Sequence, residues 1–311
     1  MRVTANTFPN SLTEQLSKLT LRQTRLNQQA ATGQRVTNPE DDPSAVHRIL
    51  DMQKDVKSLG QYQRNIGQMK DQASASYASM KSLKSLLDRA QELSTRAGGL
   101  RSQAELNIYA EEINQLIKTG AQAANTKFRG DYLLGGTKSD QPPFAVTESS
   151  SGLVTAVTYQ GNAEVPVNEI GQGITASSTV PGANSSGSGP RGLITDSRTG
   201  ADLFNHLIAL RDALLAGDRT AIANTVNPAL AADEENILIH VGINGAVQSQ
   251  LDAAKTLSNR DHAALEAGIS QEADADLAQT IVQLTQTQTA YQAALQSGGQ
   301  ILSQSLLDYL R

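Results

Sequence analysis

The sequence predicts a mainly α-helical protein of long helices with one small β-rich insert. Near each end of the chain, apolar residues recur with an alternating spacing of four and three positions. Further long helical patterns lie between these ends, and residues 137–195 change to short β-type runs separated by Gly, Pro, Asn and Ser. These observations predict a terminal coiled coil, a bundle of long helices and a β-rich domain inserted between helices.

The two terminal stripes are the strongest functional signal in the chain. The N-terminal stripe consists of Leu12, Leu16, Leu19, Leu26 and Ala30, and the C-terminal stripe consists of Leu277, Ile281, Leu284, Tyr291, Leu295, Leu302 and Tyr309. A heptad spacing places such residues on one side of a helix, where they form the seam of a coiled coil. Chain ends are usually the frayed part of a domain. Because the most regular sequence lies here, we expect both stripes to be assembly seams that become fully ordered when neighbouring subunits cover them.

A proline-bearing loop follows the first helical pattern, which covers residues 9–32 and ends at Gly33. Two prolines interrupt regular helix here, and the sequence predicts a compact loop carried by Asn38, Pro39, Asp41, Asp42 and Pro43. Asp42 followed by Pro43 is typical of an N-cap and a first helical position.

The remaining helical patterns are long. They predict one helix from the proline loop to Gly98, one over residues 102–126, one from about residue 196 to Gly217 and one over residues 220–268. Ser270 is predicted to cap the last helix, residues 271–310, with Glu272, Asp274 and Asp276 in its first turns. An apolar stripe in the middle helices is explained equally well by the core of a bundle.

The insert carries β-type runs at residues 144–147, 154–159 and 165–167, and residues 177–192 are nearly all turn formers that predict a mobile loop. Three domains are therefore expected. Residues 1–43 with 270–311 form the terminal coiled coil, residues 44–136 with 196–269 form the helical rod domain, and residues 137–195 form the β-rich domain.

The composition offers little to catalysis. The chain has 311 residues, a net charge of −5, 4% aromatic residues and no cysteine, so it has no disulfide, thiol nucleophile or thiolate metal site. A mildly acidic chain is not expected to bind nucleic acid. No apolar run approaches the length of a membrane span, and residues 1–6 lack the apolar stretch of a cleaved signal peptide. We therefore expect no membrane insertion, and either a cytosolic protein or one exported without a cleaved signal.

The residues that could carry chemistry do not form a known catalytic or metal-binding motif. The histidines His47, His206, His240 and His262 have no partner at metal-ligand spacing. The glycines of residues 130–135 are spaced like the start of a phosphate-binding loop, and those of residues 171–173 like the start of a dinucleotide-binding loop. Neither segment is followed by a helix, as such a loop requires. The acids of residues 40–42 are adjacent rather than alternating, which favours capping over calcium binding. The sequence therefore predicts no enzyme activity, no cofactor and no metal site.

Three segments resemble one protein family. Residues 31–45, Ala-Thr-Gly-Gln-Arg-Val-Thr-Asn-Pro-Glu-Asp-Asp-Pro-Ser-Ala, resemble the spoke-region motif of flagellin-like axial proteins, and the prolines make the segment most similar to the family of flagellar hook-associated protein 3. Residues 125–136 are similar to that family's entry into its outer domain, and residues 274–310 are similar to its C-terminal helix. The resemblance covers about residues 1–136 and 196–311. Residues 239–244 depart from it, since relatives often have an arginine after the glycine, so the middle-domain packing is expected to differ.

This resemblance implies an architecture and a role. The family has an inner coiled coil of both chain ends, a helical middle domain and a variable outer β domain. Its members form a ring between the first hook-associated protein (FlgK-type) and the flagellin filament, outside the cell. They leave through the flagellar type III export apparatus, and a FlgN-type export chaperone holds the C-terminal helix. By resemblance, the C-terminal stripe is therefore also the chaperone-binding segment, with Ile281, Leu284, Tyr291, Leu295 and Leu302 as its contacts.

Two other functions remain open on the sequence alone. A short flagellin would build the filament itself, and a cytosolic coiled-coil signalling protein would never be secreted. The proline-bearing loop and the entry at residues 135–136 favour the junction protein over a flagellin.

Overall fold

The computed structural model describes the backbone of residues 7–309 and the side chains of residues 10–300. Long helices dominate this part of the chain. They are α1 (Thr7–Thr32), α2 (Pro43–Ala97), α3 (Gln103–Ala124), α4 (Leu203–Ala216), the single turn α5 (Arg219–Ala221) with a π-helical turn at Ile222–Val226, α6 (Asn227–Ala273) and α7 (Leu277–Tyr309).

Short strands fill the region between α3 and α4. They are β1 (Lys127–Phe128), β2 (Asp131–Tyr132), β3 (Phe144–Glu148), β4 (Val154–Tyr159), β5 (Asn168–Gly171), β6 (Ile174–Ala176), β7 (Ala183–Asn184), β8 (Thr195–Asp196) and β9 (Ala201–Asp202). The first six pair as antiparallel hairpins, and the last three form a small sheet in the order β7-β8-β9. The expected strands at residues 144–147 and 154–159 are confirmed. The expected strand at residues 165–167 is wrong. Its Pro166 has no N–H to donate to a neighbouring strand, and pairing begins at Asn168.

The chain forms two compact units. One contains the residues up to Leu59 and those from Arg260 onward, and the other is Gly60–Asn259. Residues 137–195 belong to the second unit together with its helices. The finer division of the chain into three domains remains a prediction.

The core of the second unit lies between its helices and the hairpin β3–β4. One face of α3 is buried at a helical spacing, and Ser102 and Glu105 begin the helix with a capping box. The buried face of α3 includes Leu106, Ala110, Ile113, Ile117 and Ala121. Phe204 of α4 meets Phe144 of β3 edge to face, with ring centroids 5.4 Å apart. The hairpin therefore contributes to the same core as the helices.

Buried polar side chains hold the hairpin in place. Asn114 of α3 accepts a hydrogen bond from the Val154 N–H (2.9 Å) and donates one to the Gly152 carbonyl (3.1 Å). The Arg211 guanidinium, almost fully buried, donates to the Val154 carbonyl. Since a buried backbone group without a partner is costly, these side chains fix the hairpin where it packs.

The last two helix boundaries differ from those expected. Gly268 lies inside α6, which continues to Ala273, so the prediction that Ser270 caps the last helix is wrong. The cap is Asp276, whose carboxylate accepts from the N–H groups of Ala278 and Gln279 (3.0 and 3.1 Å). A capping carboxylate explains why the helix restarts here.

Candidate assembly surface

Two loops are joined in the unit that contains α1 and α7. Gly33 ends α1 in the left-handed conformation (φ 72°). The following backbone pairs with the connection between α6 and α7. The Arg35 N–H donates to the Ala273 carbonyl (2.6 Å), and the Ala275 N–H donates to the Gly33 carbonyl (2.8 Å). This bridge fixes the point from which both terminal helices leave.

The proline-bearing loop is organised by its two aspartates. The Asp41 carboxylate accepts from the N–H groups of Thr37 (3.2 Å) and Asn38 (3.0 Å), and it lies 3.3 Å from the Arg25 guanidinium. Asp42 directly precedes Pro43, the first residue of α2, and its carboxylate accepts a hydrogen bond from the Ala45 N–H (3.0 Å). The predicted N-cap at Asp42 is therefore confirmed. The remaining predicted residues of the loop, Asn38, Pro39 and Pro43, are exposed.

An ion-pair network links this loop to the end of α6. The Arg48 guanidinium binds both oxygens of the Glu272 carboxylate, at 3.0 and 2.9 Å. Arg35 donates to the Asp42 carboxylate (3.2 Å) and to the Glu272 carbonyl (2.9 Å). A two-pronged arginine–carboxylate contact fixes direction as well as distance. No local pattern in the sequence indicates that Arg35, Arg48 and Glu272 form a group, because Glu272 lies more than 220 positions beyond both arginines.

The charge network predicts a pH dependence. The pKa of Asp41 is lowered chiefly by the Asn38 N–H, that of Asp42 by the Ala45 N–H and that of Glu272 by Arg48. Because the folded pKa values lie below the unfolded ones, these carboxylates stabilise the loop above about pH 4.5 and lose that contribution as the pH falls through the folded values.

We expect amide protection of residues 34–42 to fall as the pH is lowered below about 4.5, and Glu272→Gln to reduce that dependence. Hydrogen exchange, corrected for the intrinsic rate, measures it. The matched control is Glu266→Gln, at another α6 carboxylate close to its end. An identical acid response in the wild type and Glu272→Gln would contradict this role of the ion pair.

The N-terminal stripe lies on the covered side of α1. Leu26 is buried, and the other members are half-buried. Covered positions repeat along α1 with alternating spacings of four and three, at Leu12, Leu16, Leu19, Gln23, Leu26 and Ala30. Helix α7 packs against α1, so the heptad in α1 lies where a two-helix seam requires it.

The C-terminal stripe divides into covered and exposed parts. A heptad row of covered positions on the described part of α7 consists of Thr280, Leu284, Thr287, Tyr291, Ala294 and Gly298. Gly298 approaches α1 so closely that a Cβ there would lie 2.4 Å from a methyl carbon of Leu12. Small residues therefore let the two helices come together.

The apolar residues beside this covered face remain exposed. Leu277 is 46% exposed, Ile281 55% and Leu295 48%. Their spacing places them along one shoulder of α7, next to Leu284 and Tyr291. Leu302 and Tyr309 belong to α7, but their side chains lie outside the described residues. The structure thus leaves an apolar stripe along α7, formed by Leu277, Ile281 and Leu295, which we call the α7 stripe.

Other candidate chemistry is not assembled in the described residues. Among the side chains of residues 10–300, no group of His, Cys, Asp or Glu is placed to hold a metal ion. His206 pairs with Asp233 (2.8 Å), His262 lies near Glu266, and His240 is buried against a backbone carbonyl. Among the helices that the structure describes, each is too short or too polar to cross a membrane.

Comparison with known proteins identifies the fold. Residues 3–139 match the family of the bacterial flagellin N-terminal helical region. A Vibrio parahaemolyticus protein assigned to the flagellar hook-associated proteins superposes with a TM-score of 0.64 at 19% identity, covering 75% of this chain and 100% of its own. FlgL of Bacillus cereus superposes with a TM-score of 0.55 at 21% identity, covering 70% of this chain and 97% of its own. Hook-associated protein 3 of Legionella pneumophila superposes with a TM-score of 0.57 at 15% identity, covering 72% of this chain and 98% of its own.

The likeness to these solved structures confirms the predicted fold class, long helices with a small β-rich part. A comparison with curated protein sequences found no significant match.

Proposed function

We propose that this chain, which combines a flagellin N-terminal helical region with the fold of the flagellar hook-associated proteins, is a structural adaptor joining the flagellar hook to the flagellin filament. The observation that carries the proposal is the α7 stripe. A helix that already packs on α1 has apolar residues about half exposed along one shoulder, at positions spread over about five turns. Such a surface is typical of an association site.

The partners in this proposal follow from the two faces of the junction. One is the first hook-associated protein (FlgK-type), the other is flagellin, and copies of the chain associate with one another in a ring. The Gly33–Ala275 bridge supports this role, because it fixes the point from which α1 and α7 leave before assembly, and the Arg48–Glu272 pair holds the start of α2 to the end of α6.

Export is part of the same proposal. A stripe that is exposed on the folded monomer would also be accessible to a FlgN-type chaperone, which would shield Leu277, Ile281 and Leu295 until the chain enters the flagellar type III export apparatus. In this proposal the protein acts outside the cell, as part of the flagellum, and carries out no catalysis.

Deletion and complementation test the proposal. A strain lacking the gene is expected to keep its hooks, to lose motility and to release unpolymerised flagellin into the medium. Complementation with the full chain should restore all three properties. Electron microscopy with labelled antibody then places the protein. Labelling along the whole filament would indicate a flagellin, and retention in the cytosol would indicate a coiled-coil signalling protein. Either result would refute the junction role.

A further inference from the structure

A buried histidine in the second unit has no role in the proposed assembly. His240 lies on α6 in the stretch that departs from the family resemblance, and it is 2% exposed. Its Nε2 lies 3.1 Å from the Gly192 carbonyl, and its Nδ1 is buried without a hydrogen-bond partner. The carbonyl can only accept, so Nε2 carries the proton and Nδ1 is a buried lone pair without a donor.

The partner of His240 is a tightly packed piece of the insert. Gly192 has no room for a side chain, since a Cβ would lie 2.2 Å from the Thr195 carbonyl oxygen and 2.4 Å from the Asn184 nitrogen. The next two residues, Leu193 and Ile194, are each 1% exposed in the core. We call residues 192–194 the core segment.

Helix α6 holds the core segment through polar side chains. Asn236, one turn before His240, donates to the carbonyls of Gly192 (2.9 Å) and Leu193 (2.8 Å). The same Gly192 carbonyl thus accepts from both Asn236 and His240. Of these two hydrogen-bond donors, only the His240 side chain can change its charge near neutral pH.

We propose that His240 is an acid-operated latch, whose protonation loosens the core segment from α6 while the helices of the unit stay folded. The added proton would place a charge at Nδ1, where the described residues offer no acceptor, so the imidazolium is stabilised by leaving the site with the segment displaced.

The groups around His240 favour its neutral form. Burial is the main cause of its lowered pKa, and Arg191 and Arg198 act in the same direction, whereas Asp196 of β8 and the Gly192 carbonyl oppose them. A lowered folded pKa means that His240 stabilises the closed state above the ordinary histidine pKa of about 6.5 and loses this contribution as the pH falls below it.

His206 has the opposite sign and serves as an internal contrast. The Asp233 carboxylate of α6 is the main cause of its raised pKa, so its contribution is complete below the unfolded pKa and is lost as the pH rises through the folded one. An acid-induced loosening therefore cannot come from the His206–Asp233 pair.

Hydrogen exchange on the full chain tests the latch. Between pH 7.5 and 5.0, and after correction for the intrinsic rate, the opening constant of residues 190–196 is expected to rise, with about thirtyfold as the upper limit for one proton taken up below pH 6.5. His240→Gln keeps a side-chain N–H for the Gly192 carbonyl but cannot be protonated, so its response should be flat. His47→Gln, at a histidine of the other unit, is the matched control and should behave as the wild type. In each protein the β3–β4 hairpin, held by Asn114 and Arg211, should change little.

Two results would overturn the latch. One is a wild-type segment whose protection does not depend on pH in this range, and the other is the same acid response in His240→Gln. If that variant does not fold, the imidazole of His240 in the wild type decides the question by nuclear magnetic resonance. Titration below the ordinary value with simultaneous opening of the segment supports the latch, and titration at or above 6.5 refutes it.

Discussion

Replacing Ile281 and Leu295 together by aspartate is expected to abolish junction assembly while leaving the monomer folded. Both side chains are about half exposed, so the monomer should lose less than about 1 kcal/mol in its free energy of unfolding. In the assembled state the expected loss of free energy is much larger. Full burial of an Ile or Leu is worth roughly 1.5–3 kcal/mol, and an unpaired buried carboxylate costs several kcal/mol more. Because every subunit carries two such sites, we expect the free energy lost on association to prevent assembly.

The measurements separate folding from assembly. Circular dichroism and thermal unfolding of the purified variant should match the wild type. Cells that carry it should be non-motile and should release flagellin into the medium. The matched control is Gln286→Asp with Ala293→Asp, which adds the same charge to exposed positions on the opposite side of α7. Normal filaments on cells with the double change in the stripe, or loss of filaments with the control alone, would contradict the assignment of the α7 stripe.

The sequence could predict the elements because their signals are local. Gly33 after the first stripe, the Asp42–Pro43 pair and the paired glycines after α2 each mark a boundary within one or two residues of where the chain turns. The same is true of β3 and β4, which are short runs of β-branched and aromatic residues bounded by turn-forming residues. Such signals come from the residue itself and need no knowledge of its neighbours.

Which side of α7 is covered could not be predicted in the same way. The stripe of large apolar residues indicates one face, but the covered face includes Thr280, Thr287 and Gly298, which a search for apolar residues does not count. Small side chains let α1 approach closely, and the gain from close contact depends on the partner helix rather than on the α7 sequence. The pattern therefore found the helix and its period, but not its orientation about its own axis.

The attachment of the insert was equally beyond local reasoning. Asn114 and Arg211 are polar residues within helical patterns, which by default are assigned to a solvated surface. They are buried because the carbonyl and amide groups of the β3–β4 hairpin need partners there, 38 to 57 positions away in the chain. Only the packed structure shows that these side chains belong to the core of the second unit.

Phe204→Ala is expected to produce a large loss of stability in the second unit. Phe204 is 2% exposed and lies against Phe144, which in turn contacts Tyr159 at 5.2 Å between ring centroids. Truncating a buried phenylalanine costs about 3–5 kcal/mol through lost burial and the remaining cavity. For a unit of this size, that loss lowers the midpoint of thermal unfolding by about 10 °C. Ile108→Ala, at a 66% exposed position on α3, is the matched control and should change stability by less than about 1 kcal/mol.

The same variant distinguishes an insert that shares the core from one that folds by itself. Phe144 and Tyr159 stand opposite each other at one end of the β3–β4 hairpin, and Phe204 joins that end to α4. Since the hairpin has two strands and is marginal without packing, Phe204→Ala should reduce the amide protection of residues 144–159 together with that of α4. An independently folded insert would keep its protection while α4 alone lost it. That outcome would show that the hairpin is stabilised within the insert rather than by the aromatic contact.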